Sequence, residues 1–137
     1  MKLIIHTDGA SRGNPGEAGI GAVIENAENE NETLYEIAEY VNKMTNNAAE
    51  YTAVIRALEK ASELGGSEVL LLSDSELLVK QVNGEYRVKN AGLQPLYQKV
   101  FELKQQFKSF KIQHVRREQN KRADKLANMG IDQNLNG

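Results

Sequence analysis

Apolar residues follow two rhythms along this chain. Leu3, Ile4 and Ile5 form an unbroken run, which predicts a strand over residues 2–8 buried on both faces. Asp8-Gly9 opens a stretch rich in structure breakers, and Gly13-Asn14-Pro15-Gly16 reads as a turn. Ile20, Ala22 and Ile24 alternate along a second predicted strand, and Tyr35, Ile37 and Val41 along a third. The Asn- and Glu-rich stretch 27–32 between them reads as a hairpin loop. The period then changes to that of a helix. Thr45-Asn46-Asn47 caps it, Ala49, Ala53, Ala57, Leu58 and Ala61 turn inward, and Gly65-Gly66 ends it. A second apolar run over 68–73 is again a strand, and the preceding helix supplies the crossover that lets it lie parallel to the first. Ser75 caps a short helix through Val82, which Gly84 stops.

Pro95 suits the first turn of the next helix, whose stripe is Leu93, Leu96, Tyr97, Val100, Phe101, Lys104 and Phe107. Phe110, Ile112 and His114 alternate on a fifth strand. Asn120 caps a last helix that turns Ala123, Leu126 and Ala127 inward, and residues 131–137 read as a frayed tail. The order βββαβααβα predicts an α/β fold. Its five-stranded mixed sheet is an antiparallel meander extended by parallel strands, with helices on both faces, in one domain over residues 1–130.

Carboxylates fall at telling places in this pattern. Asp8 closes the first apolar run and Asp74 closes the second, while Glu50 and Asp124 stand in the opening turns of helices. On neighbouring parallel strands the first two would be about 4.8 Å apart. Like charges that close raise each other's pKa unless a cation neutralises them. Each acid also has a purely structural role open to it. Asp8-Gly9 is a common turn pair, and Glu50 could complete a capping box with Asn47. Asp74 and Asp124 could serve helix dipoles. Jointly the four favour a site outside the carboxyl ends of parallel strands. Oxygen ligands without cysteine suit Mg²⁺ or Mn²⁺. His6 and His114 lie within strands and read as structural.

Composition adds boundaries. The 137 residues suit one domain, and 40% apolar with 26% charged residues is the balance of an ordinary globular protein. The absence of cysteine excludes a disulfide framework and suits a reducing compartment. The opening residues turn polar too soon for a signal peptide, and no apolar stretch spans a membrane, so the expectation is a cytoplasmic monomer without an obligate protein partner. A net charge of −2 ill suits a nucleic-acid binder taken as a sum. The distribution differs: Glu28, Glu30 and Glu32 sit in one loop, whereas Arg116, Arg117, Lys121 and Arg122 cluster beside Asp124.

Four blocks in order carry a resemblance. They are Thr7-Asp8-Gly9-Ala10-Ser11-Arg12-Gly13-Asn14-Pro15-Gly16, Thr45-Asn46-Asn47-Ala48-Ala49-Glu50, Ser73-Asp74-Ser75, and Asn120-Lys121-Arg122-Ala123-Asp124-Lys125-Leu126-Ala127. From residue 2 to about residue 130 the chain resembles type 1 ribonuclease H. The resemblance implies hydrolysis of the RNA strand of an RNA/DNA hybrid, with Asp8, Glu50, Asp74 and Asp124 as catalytic acids holding two Mg²⁺ ions. It implies products with 5′-phosphate and 3′-hydroxyl ends. Asn14, Asn46 and Asn47 match positions that contact the RNA 2′-hydroxyl, and Thr45 matches a phosphate contact on the DNA strand.

Three departures mark a compact variant. The loop Arg116-Arg117-Glu118-Gln119 lacks the histidine many members carry, which leaves Arg117 either to meet charge on the leaving side or to serve as a phosphate-steering or surface arginine. The connection Gly84 to Gly92 is too short for the basic substrate-gripping helix, and Glu76 stands where a glutamine often contacts substrate. A hybrid-binding module with little activity, or a metal-dependent nuclease for other duplexes, are the competing readings.

Overall fold

In the computed structural model, which describes residues 1–136, the first strand does not end at Asp8 as expected but continues well past it. Strand β1 spans Lys2–Gly13 and turns through Asn14-Pro15 into β2, Gly16–Asn26. Strand β3 is Glu32–Met44, followed by helix α1, Asn46–Glu63, and strand β4, Glu68–Ser73. Helices α2, Glu76–Val82, and α3, Gln94–Lys104, lead to β5, Ser109–His114. A short 3-10 turn, Arg117–Gln119, precedes α4, Lys121–Asn136. The expected order of strands and helices is the observed one. Sheet order is β3-β2-β1-β4-β5, antiparallel across β1–β2–β3 and parallel across β1–β4–β5. No described helix is long and apolar enough to cross a membrane.

Two helices approach the sheet on glycine tracks. A Cβ on Gly9 would lie 2.3 Å from the Ala49 carbonyl carbon, so α1 crosses β1 in direct backbone contact. A Cβ on Gly21 would lie 2.1 Å from the Ala123 oxygen, so α4 does the same on β2. Gly9 and Gly21 belong to opposite faces, because Asp8 rather than Gly9 is the β1 partner of Gly21. The core therefore has two layers. Leu3, Ile5, Ile20 and Leu71 are among the fully buried residues of the main cluster, which also takes in Val54, Leu58 and Val100 of α1 and α3. Ala123, Ala127 and Ile131 of α4 are buried as well.

The helix ends follow local chemistry. Thr45 accepts the Ala48 N–H at 3.2 Å and caps α1, and Ser75 accepts the Leu78 N–H at 3.2 Å and caps α2. Gly65 and Gly84 take φ of +85° and +79° at the far ends, where a side chain would be strained.

Several expectations are corrected. Helix α4 continues past residue 131, the expected start of the tail, to Asn136, and Ile131 is fully buried, because Gly130 lets the helix press on the Glu39 backbone. Gly137 lies outside the described residues. Tyr35 is exposed, since β3 is an edge strand; its ring lies under the Lys60 ammonium, 4.2 Å away. Phe101 points outward and Leu103 takes the inward place, one turn from Val100. His114 ends β5 exposed. Asn120 precedes α4 but does not cap it with its side chain, which is buried against β1.

Candidate active site

The parallel pairing of β1 and β4 ends at Thr7 and Ser73, so Asp8, still within β1, and Asp74, just past the end of β4, follow the last paired residues side by side. Glu50 arrives on the first turns of α1, brought close by Gly9. Asp124 arrives on the first turn of α4, held near β1 by the Asn120 amide, which donates to the Thr7 carbonyl at 2.9 Å. All four acids line one open cleft of about 250 Å³. Ser11, Asn46, Arg117 and Asn128 complete much of its wall.

Burial and mutual repulsion dominate the electrostatics. Asp8 is only 9% exposed. Loss of water, a hydrogen bond with Asp124 and the charges of Asp74, Asp124 and Glu50 push its carboxyl up to about 8. Glu50 rises to about 7 for the same first reason and through Asp74, partly offset by a hydrogen bond from Ser75. Ser75 thus holds two groups, the Leu78 N–H and Glu50. Both shifts run in the direction expected of crowded carboxylates without a neutralising cation. Glu50 is not a capping residue, since Thr45 does that work for α1.

Among the described residues, no three acidic or histidine side chains already converge on one point in metal-ligating geometry. The donor set nevertheless fits hard divalent ions: four carboxylates line the cleft without a nitrogen or sulfur ligand among them. Asp8, Glu50, Asp74 and Asp124 could hold such ions once Asp8 and Glu50 give up their protons. Mg²⁺ affinity should therefore climb from about pH 6 to about pH 8 and level off above, with proton release on binding. Calorimetry in buffers of different ionisation enthalpy checks this; equal affinity and no proton release across that range would contradict it.

A second groove of about 330 Å³ adjoins the first. Asn14, Thr45, Asn46 and Asn47 line it, and Asn46 belongs to both hollows. Asn14 at the hairpin tip accepts the Asn46 N–H at 3.1 Å, which fixes the tip against α1. The sequence-predicted residues therefore form one continuous track from the asparagines to the acids, with exposed Arg117 on the acid side. Of the basic cluster, Arg122 serves elsewhere: it bonds Glu36 on β3 at 2.7 Å.

The geometry agrees with known proteins. Residues 6–130 match a family model described as reverse transcriptase-like. Crystalline RNase H1 of the archaeon Halobacterium salinarum shares 37% identity and superimposes with a TM-score of 0.93, over 97% of this chain and 99% of that one. The chain belongs to the type 1 ribonuclease H family. A bifunctional protein of Mycobacterium tuberculosis shares 42% identity over 132 residues, 96% of this chain but 36% of that protein. This ribonuclease H chain thus spans about a third of the length of that relative. LC11-RNase H1, solved with an RNA/DNA hybrid, shares 43% identity at a TM-score of 0.90, over 97% of this chain and 99% of that one.

Within this ribonuclease H fold, some site residues were not foreseen. Asn128 follows Asp124 by one helical turn and donates to its carbonyl at 3.1 Å; only the i+4 spacing hinted at it. Asn90 and Leu93 line the asparagine groove. Asn90 caps the turn into α3 by accepting the Gly92 and Leu93 N–H groups. Its place opposite Asn14 depends on the packing of α3 on α1, which no local signal carries. The compact connection is as expected, with no helix among the described residues between Gly84 and Gly92.

Proposed function

We propose that this ribonuclease H domain is a divalent-metal-dependent endonuclease that hydrolyses the RNA strand of RNA/DNA hybrids. One observation carries the reading: acids from four separate elements line a single cleft that runs into a groove of amide side chains. Pure binding of a polyanion gives no reason to line the path with carboxylates. The hybrid bound to LC11-RNase H1 supports the substrate class.

Asp8, Glu50, Asp74 and Asp124 hold the catalytic cations, Mg²⁺ with Mn²⁺ as an alternative, two per site when substrate is bound. Held there, such ions would supply activation of a water nucleophile and charge neutralisation at the leaving oxygen. Asn14, Asn46 and Asn47 present amides that donate and accept, as a 2′-hydroxyl requires. Thr45 meets a phosphate of the DNA strand, and Arg117 balances charge beside the acids. Arginine keeps its proton at neutral pH, so Arg117 acts through charge and not through proton transfer. Cytoplasmic location and a monomeric state are part of the same proposal; a chain without cysteine suits a reducing compartment.

The test compares end-labelled RNA/DNA hybrid, double-stranded RNA and double-stranded DNA with Mg²⁺. The expected result is cleavage of the hybrid's RNA strand alone. Retention of intact hybrid on a gel would favour a binding module, and equal cutting of double-stranded RNA would favour a nuclease of other duplexes.

A further inference from the structure

We propose that Asn120 is a positioning residue that sets the spacing of Asp8 and Asp124 and so tunes how tightly the cleft holds divalent cations. The proposal rests on the nuclease reading above. Asn120 is 1% exposed, and its side-chain amide donates to the Thr7 carbonyl at 2.9 Å, across 113 positions of sequence. Thr7 immediately precedes Asp8. The Asn120 backbone carbonyl accepts the Asp124 N–H at 3.1 Å. One residue therefore grips the strand beside the first acid and the amide of the last.

The rest of its environment shows what Asn120 forgoes. Thr45 and Ser75 use their oxygens to cap α1 and α2. Among the described residues, the Asn120 Oδ1 has no hydrogen-bond partner, although it is buried. A residue selected only to start a helix would place that oxygen on the free N–H groups of α4. A residue selected only for packing would carry no amide, since an unpaired buried oxygen is unfavourable. What remains is the bond to β1. Among the described residues, Arg12 also ties β1 to α4, to Asp132 at 2.7 Å and to Asn128 at 3.3 Å. Those contacts are exposed and start four positions beyond Asp8, whereas the Asn120 bond is buried and lies on the residue next to it.

Two substitutions separate this role from general stability. Asn120→Leu keeps the branched shape with somewhat more bulk and removes the tie, whereas Asn120→Ala removes the tie and leaves a void. Val100→Ala, a core change in α3 away from the cleft, serves as the stability control. Mg²⁺ is titrated calorimetrically into each folded protein, and hybrid cleavage is followed across Mg²⁺ concentrations. Outer-shell changes at metal sites commonly cost roughly tenfold or more in affinity, and that loss is expected for both Asn120 variants. Their KM for hybrid at saturating Mg²⁺ should stay within about twofold of wild type, because the asparagine groove is untouched. Val100→Ala should lose stability and keep wild-type Mg²⁺ affinity. Unchanged Mg²⁺ affinity in Asn120→Leu, or an equal loss in Val100→Ala, overturns the assignment. Wild-type protein that binds Mg²⁺ and cuts no hybrid sinks the nuclease reading alone, and the calorimetric comparison still decides Asn120. Wild-type protein that binds no Mg²⁺ overturns both.

Discussion

Replacing Asp8 by asparagine should abolish RNA cleavage and yet make the metal-free protein more stable at pH 8. The folded chain holds the Asp8 carboxyl near 8, against an ordinary value of 3.8. A raised carboxyl pKa contributes stability that is complete below the unfolded value and is lost as pH climbs through the folded one. Wild-type protein in chelator should therefore weaken steadily between about pH 4 and about pH 8. Asparagine has the same shape, accepts the same neighbours and cannot ionise. Water in the open cleft and readjustment among the acids reduce the full effect, so the gain at pH 8 should be on the order of 2 kcal/mol. That corresponds to a Tm increase of roughly 4–8 °C for a chain of this size, shrinking towards acid pH. Cleavage should drop by about 10³-fold or more, because a neutral amide is a poor ligand for a hard dication. Thermal melts at two pH values and a hybrid-cleavage assay check both halves. A variant that is less stable at pH 8, or that still cuts, would show that Asp8 is neither crowded by charge nor needed for chemistry.

Gly9→Ala should cause a large loss of stability and displace a catalytic acid with it. The new Cβ would lie 2.3 Å from the Ala49 carbonyl carbon and 2.4 Å from the Glu50 nitrogen. Both are backbone atoms, so no rotamer change relieves the clash. Helix α1 must retreat from β1 and carry Glu50 with it. We expect about 3 kcal/mol of destabilisation by overpacking. Residual activity should fall at least about 10²-fold, since a displacement near 1 Å at a catalytic group has that order of effect. Gly65→Ala is the control. No atom lies within 4 Å of its added Cβ, but the φ of +85° disfavours a side chain. It should cost about 1 kcal/mol and leave cleavage intact. Denaturant melts with matched cleavage rates decide the matter; equal behaviour of the two variants would mean that the β1–α1 contact does not set the site.

Much of this arrangement was legible along the chain because local chemistry and global fold agree. The runs ending in Asp8 and Asp74 had to become neighbouring strands once a helix separated them, and their register brings Thr7 opposite Ser73. Thr45, Ser75, Gly65 and Gly84 announce helix ends through capping and φ preference, which are properties of a few adjacent residues. Tertiary choices were less visible. Ile131 looked like the start of a loose tail, yet Gly130 allows a contact with β3 far away in sequence. Asn120 read as a helix cap, and its actual bond joins it to Thr7 across the whole chain. Asn90 fell in a connection with no periodicity, and only the packing of α3 brings it to the groove. The protonation of Asp8 and Glu50 depends on burial that no local pattern measures.

The central claim, that four carboxylates in one cleft direct metal-dependent hydrolysis of RNA, is tested most directly by the ends of the cleaved strand. Labelled hybrid is digested with Mg²⁺ and, in parallel, with chelator, and the RNA termini are mapped. The account predicts 5′-phosphate and 3′-hydroxyl ends with Mg²⁺ and intact RNA with chelator. Cutting that persists in chelator and leaves 2′,3′-cyclic phosphate ends would contradict it.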